Sequence, residues 1–464
     1  MLPLALAGLT FAVLSSVPIP ALPAIRAELH ASETGAAWIL TSYLLSSAVT
    51  TPIIGRLGDV HGKRRMLLVM LSLLIIGSLV GALAHSLLLV VVGRVIQGTG
   101  GGVYPLAFGI VRDEFPEERV PGGLGLVSAT LAIGAGIALA GAGPIVQHLG
   151  WHWLFWVPMM TAAIALLLAG WLIPESPARS SGRTNWLAAA LMAISVSAIL
   201  LAISRATSWG WGSAKTLGLF AIGLAIAAIW IGVEARSREP LVDMRMMRIR
   251  GVWTTNFSSL LLGLGMYASF FLFAQFAQLP KLTGFGFGAS VTDAGLYLLP
   301  MTVFMTLAGG AYGRVAARTG AKPPLIAGSL LTGSAFLFFL GLHRHPYDML
   351  ISGAILGAGI GLAFAAAANL IVEFVPPDQT GVATGMNTLM RTLGGALGAQ
   401  LAATLVAEHT FDRLPLVTGF DDTFLLGGLA LIAATVVASC VPTARTVVRP
   451  RSREPALQFV EREA

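Results

Sequence analysis

Long apolar runs constrain this chain more than any other feature of its sequence. Between positions 4 and 441, stretches of about 20 residues with few charges alternate with short polar breaks, and an α-helix of that length crosses the hydrocarbon core of a bilayer. Inside lipid, only helices and closed barrels satisfy all of their own backbone hydrogen bonds. The sequence therefore predicts an all-α polytopic membrane protein.

Composition narrows the classes of function. Of the 464 residues, 56% are hydrophobic and 11% are charged, so membrane lipid is the expected solvent and partner. The formal net charge of +7 could favour nucleic acid, but the cations lie in short loops beside apolar runs, where they set topology and contact anionic headgroups. The single cysteine, Cys440, supplies neither a disulfide framework nor a thiolate metal site. We expect no nucleic acid, no metal and no cofactor.

The apolar runs follow a pattern of six, two and six. They predict fourteen membrane spans, at 4–23, 36–54, 66–84, 87–111, 124–146 and 153–173, then 186–203 and 217–233, then 252–279, 294–316, 324–342, 349–374, 382–406 and 424–441. We predict a six-helix bundle over 1–175, a two-helix insert with a linker over 176–250, a second six-helix bundle over 251–443 and a tail over 444–464.

The second set of six spans echoes the first. The polar segment 55–65 separates spans 2 and 3, and a related segment that begins at Gly313 separates spans 10 and 11. The matched pairs are Gly55 with Gly313, Arg56 with Arg314, Gly62 with Gly320, Gly125 with Gly385 and Gly134 with Gly394, whereas Asp59 becomes Ala317. Such a repeat predicts two parallel halves with a substrate cavity at their interface, near the bilayer midplane.

Charge asymmetry predicts the orientation of the chain. Segment 55–65 reads GRLGDVHGKRR, which we expect to form a tight polar hairpin, and the loops on its side of the predicted topology hold most of the 29 lysines and arginines. The positive-inside rule assigns that side to the cytoplasm. Both termini are then cytoplasmic, in the inner membrane of a bacterial cell.

Segment 55–65 resembles the signature loop of major facilitator superfamily transporters, G-x-L-x-D-r-x-G-r-k-r. The fourteen-span form, and the RVIQGTGGG stretch that begins at Arg94, are similar to the multidrug exporter branch of drug:proton antiporters in that superfamily. The resemblance implies export of a small amphipathic or anionic organic compound by alternating access, with protons as the coupling ion. It also implies a functional monomer.

The resemblance further implies a gate at this segment. Asp59 is expected against the start of span 13, near Gly381, and Arg64 or Arg65 is expected to pair with Asp113 or Glu114. The complete predicted gating set is Gly55, Asp59, Gly62, Lys63, Arg64, Arg65, Asp113 and Glu114. In the alternative interpretation, these charges only set the topology.

Two departures from the family pattern affect proton coupling. Span 1 lacks the usual aspartate between Val13 and Pro23, and span 5 reads Ala138-Leu139 where the antiporter signature has Gly-Pro, with Pro144 as a shifted substitute. The coupling candidates are Arg94, Gln97, Gly98, Asp293 and Glu373. Arg94 either faces a polar cavity or extends its side chain to the interface, and the two acids are either coupling groups or boundary acids.

Polar residues on the expected cavity-lining spans are candidates for substrate contact. They are Ser15, Ser16, Tyr43, Tyr104, Asn256, Tyr267, Gln275, Asn369, Asn387 and Arg391. Each could instead make a hydrogen bond between helices, although Arg391, as a second intramembrane cation, needs a wet or anionic neighbour.

The sequence is compatible with more than one class of function. The chain has no phosphate-binding Gly-rich loop, metal-ligand spacing or nucleophile elbow, so we predict that it is not an enzyme. A proton-independent facilitator or a lipid or metabolite exporter is one alternative to proton antiport. A non-transporting membrane scaffold or sensor is the alternative from another class.

Overall fold

The computed structural model describes residues 1–176, 180, 184–411 and 414–443, and this part of the chain is almost entirely helical. The first half contains α1 Leu2–Ser16, α2 Pro18–Glu28, α3 Glu33–His61, α4 Lys63–Ala82, α5 Leu87–Gly98, α6 Val103–Glu114, α7 Val120–Leu149 and α8 Trp153–Leu172. The insert contains α9 Trp186–Trp209, α10 Ala214–Arg236 and α11 Met244–Met247. The predicted tail 444–464 lies outside the described residues.

The second half repeats the helical pattern. It contains α12 Arg250–Gln278, α13 Val291–Tyr297, α14 Leu299–Thr319, α15 Lys322–Gly341, α16 Pro346–Phe374, α17 Thr380–Glu408 and α18 Val417–Ser439. The strands β1 Thr410–Phe411 and β2 Leu414–Pro415 form a short antiparallel pair before α18. The prediction of an all-α polytopic membrane protein is confirmed, apart from these two short strands.

Thirteen helices in the described part are long and apolar enough to cross a membrane. The first predicted span, 4–23, instead forms α1 and α2, which meet at Val17. Pro18 and Pro20 lack the N–H groups that a continuous helix would use there, so neither piece reaches the length of a span by itself. The count of fourteen spans therefore stays a prediction.

The predicted hairpin is shorter than expected. Helix α3 continues to His61 and α4 begins at Lys63, so only Gly62 links them. Its φ of +104° lies in a region that favours glycine. Most of segment 55–65 is thus helical, which fixes the direction of each side chain. We call the end of the molecule that carries this link the Gly62 end.

Small residues let the two halves approach closely. Helix α3 packs against α17, and α7 packs against α14. A Cβ atom at Gly55 would lie 2.2 Å from the Gly381 carbonyl oxygen, and one at Gly125 would lie 2.5 Å from the Gly309 carbonyl oxygen. Close helix approach of this kind is typical of membrane interfaces. Both contacts join the first half to the second.

The two insert helices pack on each other, and α9 also contacts α3 and α17. Helix α9 therefore touches both halves beside one of their contacts. Helix α10 is much less enclosed, and it exposes large apolar side chains such as Leu217, Ile222 and Leu224. This surface is suited to lipid.

The closest packing inside the second half joins α12 to α17, and it yields a prediction about stability. A Cβ atom at Gly394 would lie 1.8 Å from the Leu260 carbonyl oxygen. Gly394→Ala should lower the free energy of unfolding by about 1–3 kcal/mol, because the backbones must separate. Thermal unfolding of the purified protein in detergent measures the effect.

Gly310→Ala is the matched control for that measurement. Gly310 lies in α14, where an added Cβ atom meets no atom within 4 Å. We expect its unfolding temperature to equal or exceed that of the unaltered protein. Equal unfolding temperatures for Gly394→Ala and Gly310→Ala would contradict the packing described here.

Candidate functional site

A buried carboxylate joins the two halves at the Gly62 end. Asp59, in the last turns of α3, is 0% exposed. Its Oδ1 accepts a hydrogen bond from the Gly381 backbone N–H (3.0 Å), and its Oδ2 accepts one from the Val382 N–H (2.9 Å). Both donors belong to the first turn of α17, where N–H groups have no partner within the helix. The negative charge also interacts favourably with the helix dipole.

Lys63 is the cation of this site. Its Nζ lies 2.6 Å from Asp113 Oδ2 and 3.7 Å from Asp59 Oδ1, and its side chain is fully buried. The prediction that Arg64 or Arg65 pairs with Asp113 or Glu114 is wrong for this structure. Lys63 is the first residue of α4, directly after the turn at Gly62, and this position brings its side chain to both acids.

The two predicted arginines have other surroundings. The Arg64 guanidinium donates to the Gly170 carbonyl oxygen on α8, while the Arg65 side chain is exposed. Glu114 is also exposed at the end of α6. The structure therefore brings Gly55, Asp59, Lys63 and Asp113 into one buried cluster and leaves the remaining charges at its edge.

Arg112, which sequence reasoning did not single out, adds a second connection between the halves. Its guanidinium donates to the carbonyl oxygens of Val375 (2.8 Å) and Pro376 (3.2 Å) and to the Thr380 hydroxyl (2.6 Å). The two carbonyl groups lie just before α17, and Thr380 is its first residue. The sequence offers one indication of this role, which is that Arg112 directly precedes the predicted gate acid Asp113.

The segment after α8 also contacts the cluster. The Glu175 carboxylate accepts hydrogen bonds from the backbone N–H groups of Arg64 and Arg65, 3.2 Å each, and so caps the start of α4. The Ser176 hydroxyl donates to the Asp113 carboxylate. Sequence reasoning missed both residues, although α4 begins with no capping side chain of its own.

Ser180 extends this coverage. Its backbone N–H donates to the Asp59 carbonyl oxygen (2.7 Å), and its hydroxyl accepts from the Arg56 guanidinium (2.7 Å). These two bonds of Ser180 hold the last turns of α3. The chain that joins the halves is part of the cluster and not a remote connection.

Arg94 is enclosed among helices of the first half. Its Nε donates to the Ile39 carbonyl oxygen (3.1 Å), and its Nη1 donates to the Leu14 carbonyl oxygen (2.8 Å) and to Gln97 Oε1 (2.9 Å). The guanidinium also lies 4.0 Å from the centre of the Tyr43 ring. With 0% exposure, it does not extend to the interface, so that alternative is wrong.

The rest of the Arg94 motif holds α5 in place. Gln97 Nε2 donates to the Ser78 hydroxyl (3.0 Å) on α4. A Cβ atom at Gly98 would lie 2.5 Å from Ser46 Cβ on α3, so only glycine fits there. Within the described residues, Arg94 has no carboxylate partner at ion-pair distance.

Three predicted cavity residues make hydrogen bonds between helices of one half, as the alternative interpretation supposed. Asn387 Nδ2 donates to Asn256 Oδ1 and to the Ser259 hydroxyl, 2.9 Å each. Asn369 Nδ2 donates to the Tyr312 hydroxyl (3.0 Å). These amides link α12 to α17 and α16 to α14.

Residues of the first half show the same use of polar groups. The Tyr104 hydroxyl donates to the Gly8 carbonyl oxygen (3.1 Å), and the Tyr43 hydroxyl donates to that of Phe11 (3.4 Å). The Ser15 hydroxyl donates to the Ala12 carbonyl oxygen (2.7 Å) and lies 3.3 Å from the Ser16 hydroxyl. Only the serines in this group retain part of their surface.

The side chains of Arg391 and Tyr267 are also partly accessible. The Arg391 guanidinium lies 4.7 Å from the centre of the Phe364 ring and within electrostatic range of Tyr267 and of Tyr104 in the other half. Arg391 is ten residues along α17 from Gly381, which places it about 15 Å deeper than the Asp59 contact. That depth is close to half of a hydrocarbon core.

The remaining candidates lie at helix ends or lack a polar partner. Asp293 is exposed in the first turn of α13, where its N–H and carboxylate both bond to the Ser290 hydroxyl. Glu373 is exposed in the last turn of α16 and accepts from Asn369 Nδ2 (2.9 Å). Gln275 Oε1, in α12, is buried and has no hydrogen-bond partner within the part of the chain that the structure describes. Among the described residues, no group of His, Cys, Asp and Glu could hold a metal ion.

Comparison with known proteins identifies the family. The family model of the Major Facilitator Superfamily matches residues 4–399. The chain belongs to the Major Facilitator Superfamily. The resemblance seen in segment 55–65 and in the Arg94 motif is thereby confirmed at the level of the superfamily. The fold and family are those of multi-pass membrane transporters and not of enzymes.

Named relatives of this Major Facilitator Superfamily chain are bacterial. The tetracenomycin C resistance and export protein of Streptomyces glaucescens is 28% identical over 389 residues, 82% of this chain and 71% of that protein. An uncharacterized MFS-type transporter of Mycobacterium tuberculosis is 27% identical over 375 residues, 80% of this chain. The chain spans only about half, 53%, of that relative's length. Other relatives are named as multidrug resistance or multidrug transporter proteins.

A solved structure shares the fold. The human organic anion transporter MFSD10 (TETRAN) superposes with a TM-score of 0.67 at 17% sequence identity, and the match covers 94% of this chain and 98% of that one. At this identity the comparison concerns the fold alone.

The Asp59 contact leads to a prediction about accessibility. We expect Asp59→Asn to expose the interface between α3 and α17, because loss of a charge at a helix N-terminus costs about 1 kcal/mol. The probe is an Ala48→Cys label site on α3, since Ala48 is 1% exposed and lies in a buried apolar cluster made up mainly of second-half residues, in a background where the exposed Cys440 is replaced by serine. Maleimide labelling should become about fivefold faster.

Glu118→Gln is the matched control, because Glu118 is an exposed acid at the same end of the molecule. Its labelling rate should equal that of the parent protein. If Asp59→Asn leaves the labelling rate unchanged, the Asp59 contact does not help to close the interface.

Proposed function

We propose that this chain is a secondary transporter of the bacterial inner membrane that exports a small amphipathic or anionic organic compound by alternating access. The observation that carries the proposal is the bond from Asp59 to the first turn of α17. It joins the two halves at the Gly62 end, and this connection must break before that end can open. A reversible contact between halves is what alternating access requires.

The strength of this contact suits a gate. A carboxylate at a helix N-terminus contributes about 0.3–1 kcal/mol, and up to about 2 kcal/mol when partly buried. Such a contribution biases one conformation without locking it. We assign the Gly62 end to the cytoplasm because the cationic loops lie there, and we propose that both termini are cytoplasmic and that this conformation is the one closed toward the cytoplasm.

The proposed substrate class follows from the interface between the halves. Arg391 and Tyr267 provide one cation and one hydroxyl at mid-depth, among largely apolar helices. A small organic molecule with an apolar body and an anionic or hydrogen-bonding group fits such a lining. Relatives named for export of tetracenomycin C and for multidrug resistance support a drug-like compound.

We propose proton antiport as the energy source. Glu373 is the coupling candidate whose surroundings could respond to substrate, since Asn369 connects it to Tyr312 inside the second half. Arg94, with Gln97 and Gly98, would instead keep the α1–α3–α5 contacts in register. A proton-independent facilitator and a scaffold without transport remain as alternatives that one experiment separates.

That experiment is transport in proteoliposomes with and without an imposed pH gradient, after a growth-inhibition panel on an overexpressing strain has identified a substrate. We expect movement that the gradient accelerates. Asp59→Asn and Arg94→Ala should abolish it while the proteins still insert, and Glu118→Gln should transport normally. Equal rates with and without the gradient would favour the facilitator, and no movement of any panel compound would favour the scaffold.

Arg391→Gln tests the charge preference of the proposed substrate site. Removing one cation near a bound anion should raise KM for anionic substrates at least about fivefold, equivalent to about 1 kcal/mol. The KM for neutral substrates of similar size should change little. Uptake kinetics in everted membrane vesicles measure both values. Equal changes in KM for anionic and neutral substrates would show that Arg391 does not recognise the charge of the substrate.

A further inference from the structure

A cleft on the outer face of the insert has polar residues at one end and apolar residues at the other. It has a volume of about 720 Å³ and lies between the start of α9 and the end of α10. Its polar lining is Asn185, Arg236 and Ser237, whereas Ile229, Gly232 and Val233 line it one to two turns deeper along α10. The cleft therefore has a polar mouth and an apolar body.

The mouth of the cleft is at the depth of lipid headgroups. Asn185 is the N-cap of α9, and the linker residue Ser180, five positions earlier, bonds to Arg56 and Asp59 at the Gly62 end. The next residue, Trp186, is 64% exposed, and exposed tryptophans mark the membrane–water interface. The apolar part of the cleft then follows α10 into the hydrocarbon region.

Charge at the mouth favours an anion. The Arg236 side chain is exposed, and among the described residues one of its N–H groups has an acceptor, the Gly232 carbonyl oxygen (3.2 Å). A guanidinium has five N–H donors, so others are available to a phosphate. The first N–H groups of α9 add positive potential on the facing side.

The nearest acid does not oppose this charge. The Glu234 carboxylate is buried and accepts hydrogen bonds from Trp230 Nε1 and from the backbone N–H groups of Leu241 and Val242. These bonds hold the loop after α10 against the helix. Neither Glu234 nor Glu239 lines the cleft.

We propose that this cleft binds one anionic phospholipid, with its phosphate at Arg236 and an acyl chain along Ile229 and Gly232. An anion with a long apolar chain matches both parts of the lining, whereas free phosphate would match only the mouth. The site is on the outside of the insert, away from the junction of the two halves. It therefore does not depend on the proposed transport function.

The test is lipid binding to the full chain in detergent, followed by native mass spectrometry and by thermal unfolding. The probes are dioleoyl phosphatidylglycerol, dioleoyl phosphatidylcholine and inorganic phosphate. We expect phosphatidylglycerol alone to form a saturable single adduct and to raise the unfolding temperature. Arg236→Gln should weaken that binding about fivefold, the effect of one cation near a membrane surface.

Three further variants complete the design. Gly232→Leu should fill the apolar part of the cleft and weaken binding without changing charge. Gly218→Leu is its control on the same helix, because an added Cβ atom at Gly218 meets no atom within 4 Å. Arg238→Gln is the charge control, since Arg238 is an exposed arginine two positions further on that does not line the cleft. Both controls should bind phosphatidylglycerol normally.

Several results would overturn the proposal. Equal binding of phosphatidylcholine and phosphatidylglycerol would show that the negative charge of the lipid is not recognised. Inorganic phosphate that displaces the lipid adduct at similar concentration would indicate a phosphate site without a role for the acyl chain. Equal weakening by Arg236→Gln and Arg238→Gln would indicate general surface charge in place of a defined cleft.

Discussion

A backbone inside lipid must satisfy its own hydrogen bonds, and the rest of this structure depends on that constraint. It makes every span a helix, and it concentrates unpaired backbone groups at the helix ends. These ends receive the charged side chains. The Asp59 carboxylate occupies the start of α17, Glu175 occupies the start of α4, and Asp348 accepts from the backbone that begins α16. Because Asp59 comes from the opposite half, capping one helix also connects the two bundles.

The interface between the halves is suited to repeated separation. Its close contacts involve glycine backbones, as at Gly55 with Gly381 and Gly125 with Gly309, so few side chains must change rotamer when the helices part. The polar bonds across it, from Asp59 and Arg112, lie at the Gly62 end. Apolar close packing along the helices, combined with hydrogen bonds at one end, favours a pivoting motion over a sliding one.

Lys63, Arg94 and Arg391 are accommodated in three different ways. Lys63 lies between two carboxylates, Arg94 donates to backbone carbonyl oxygens and covers a tyrosine ring, and Arg391 faces a phenylalanine ring while keeping accessible surface. Burying a charge without a partner is costly, so the first two cations fasten helices together. Of the three, Arg391 is the one with accessible surface, and the proposed substrate contact is therefore assigned to it.

The sequence by itself determined the helical class and the family, because the lengths of apolar runs and the signature motifs can be read from the local sequence. It also indicated Asp59 as a gating residue and Arg94 as a coupling candidate. Only the tertiary structure decided that Lys63, and not Arg64 or Arg65, meets Asp113, and that Glu175, just after α8, caps α4. Neighbouring residues on a helix point about 100° apart, so partners depend on the rotation of each helix, and that rotation is set by packing between segments far apart in the chain.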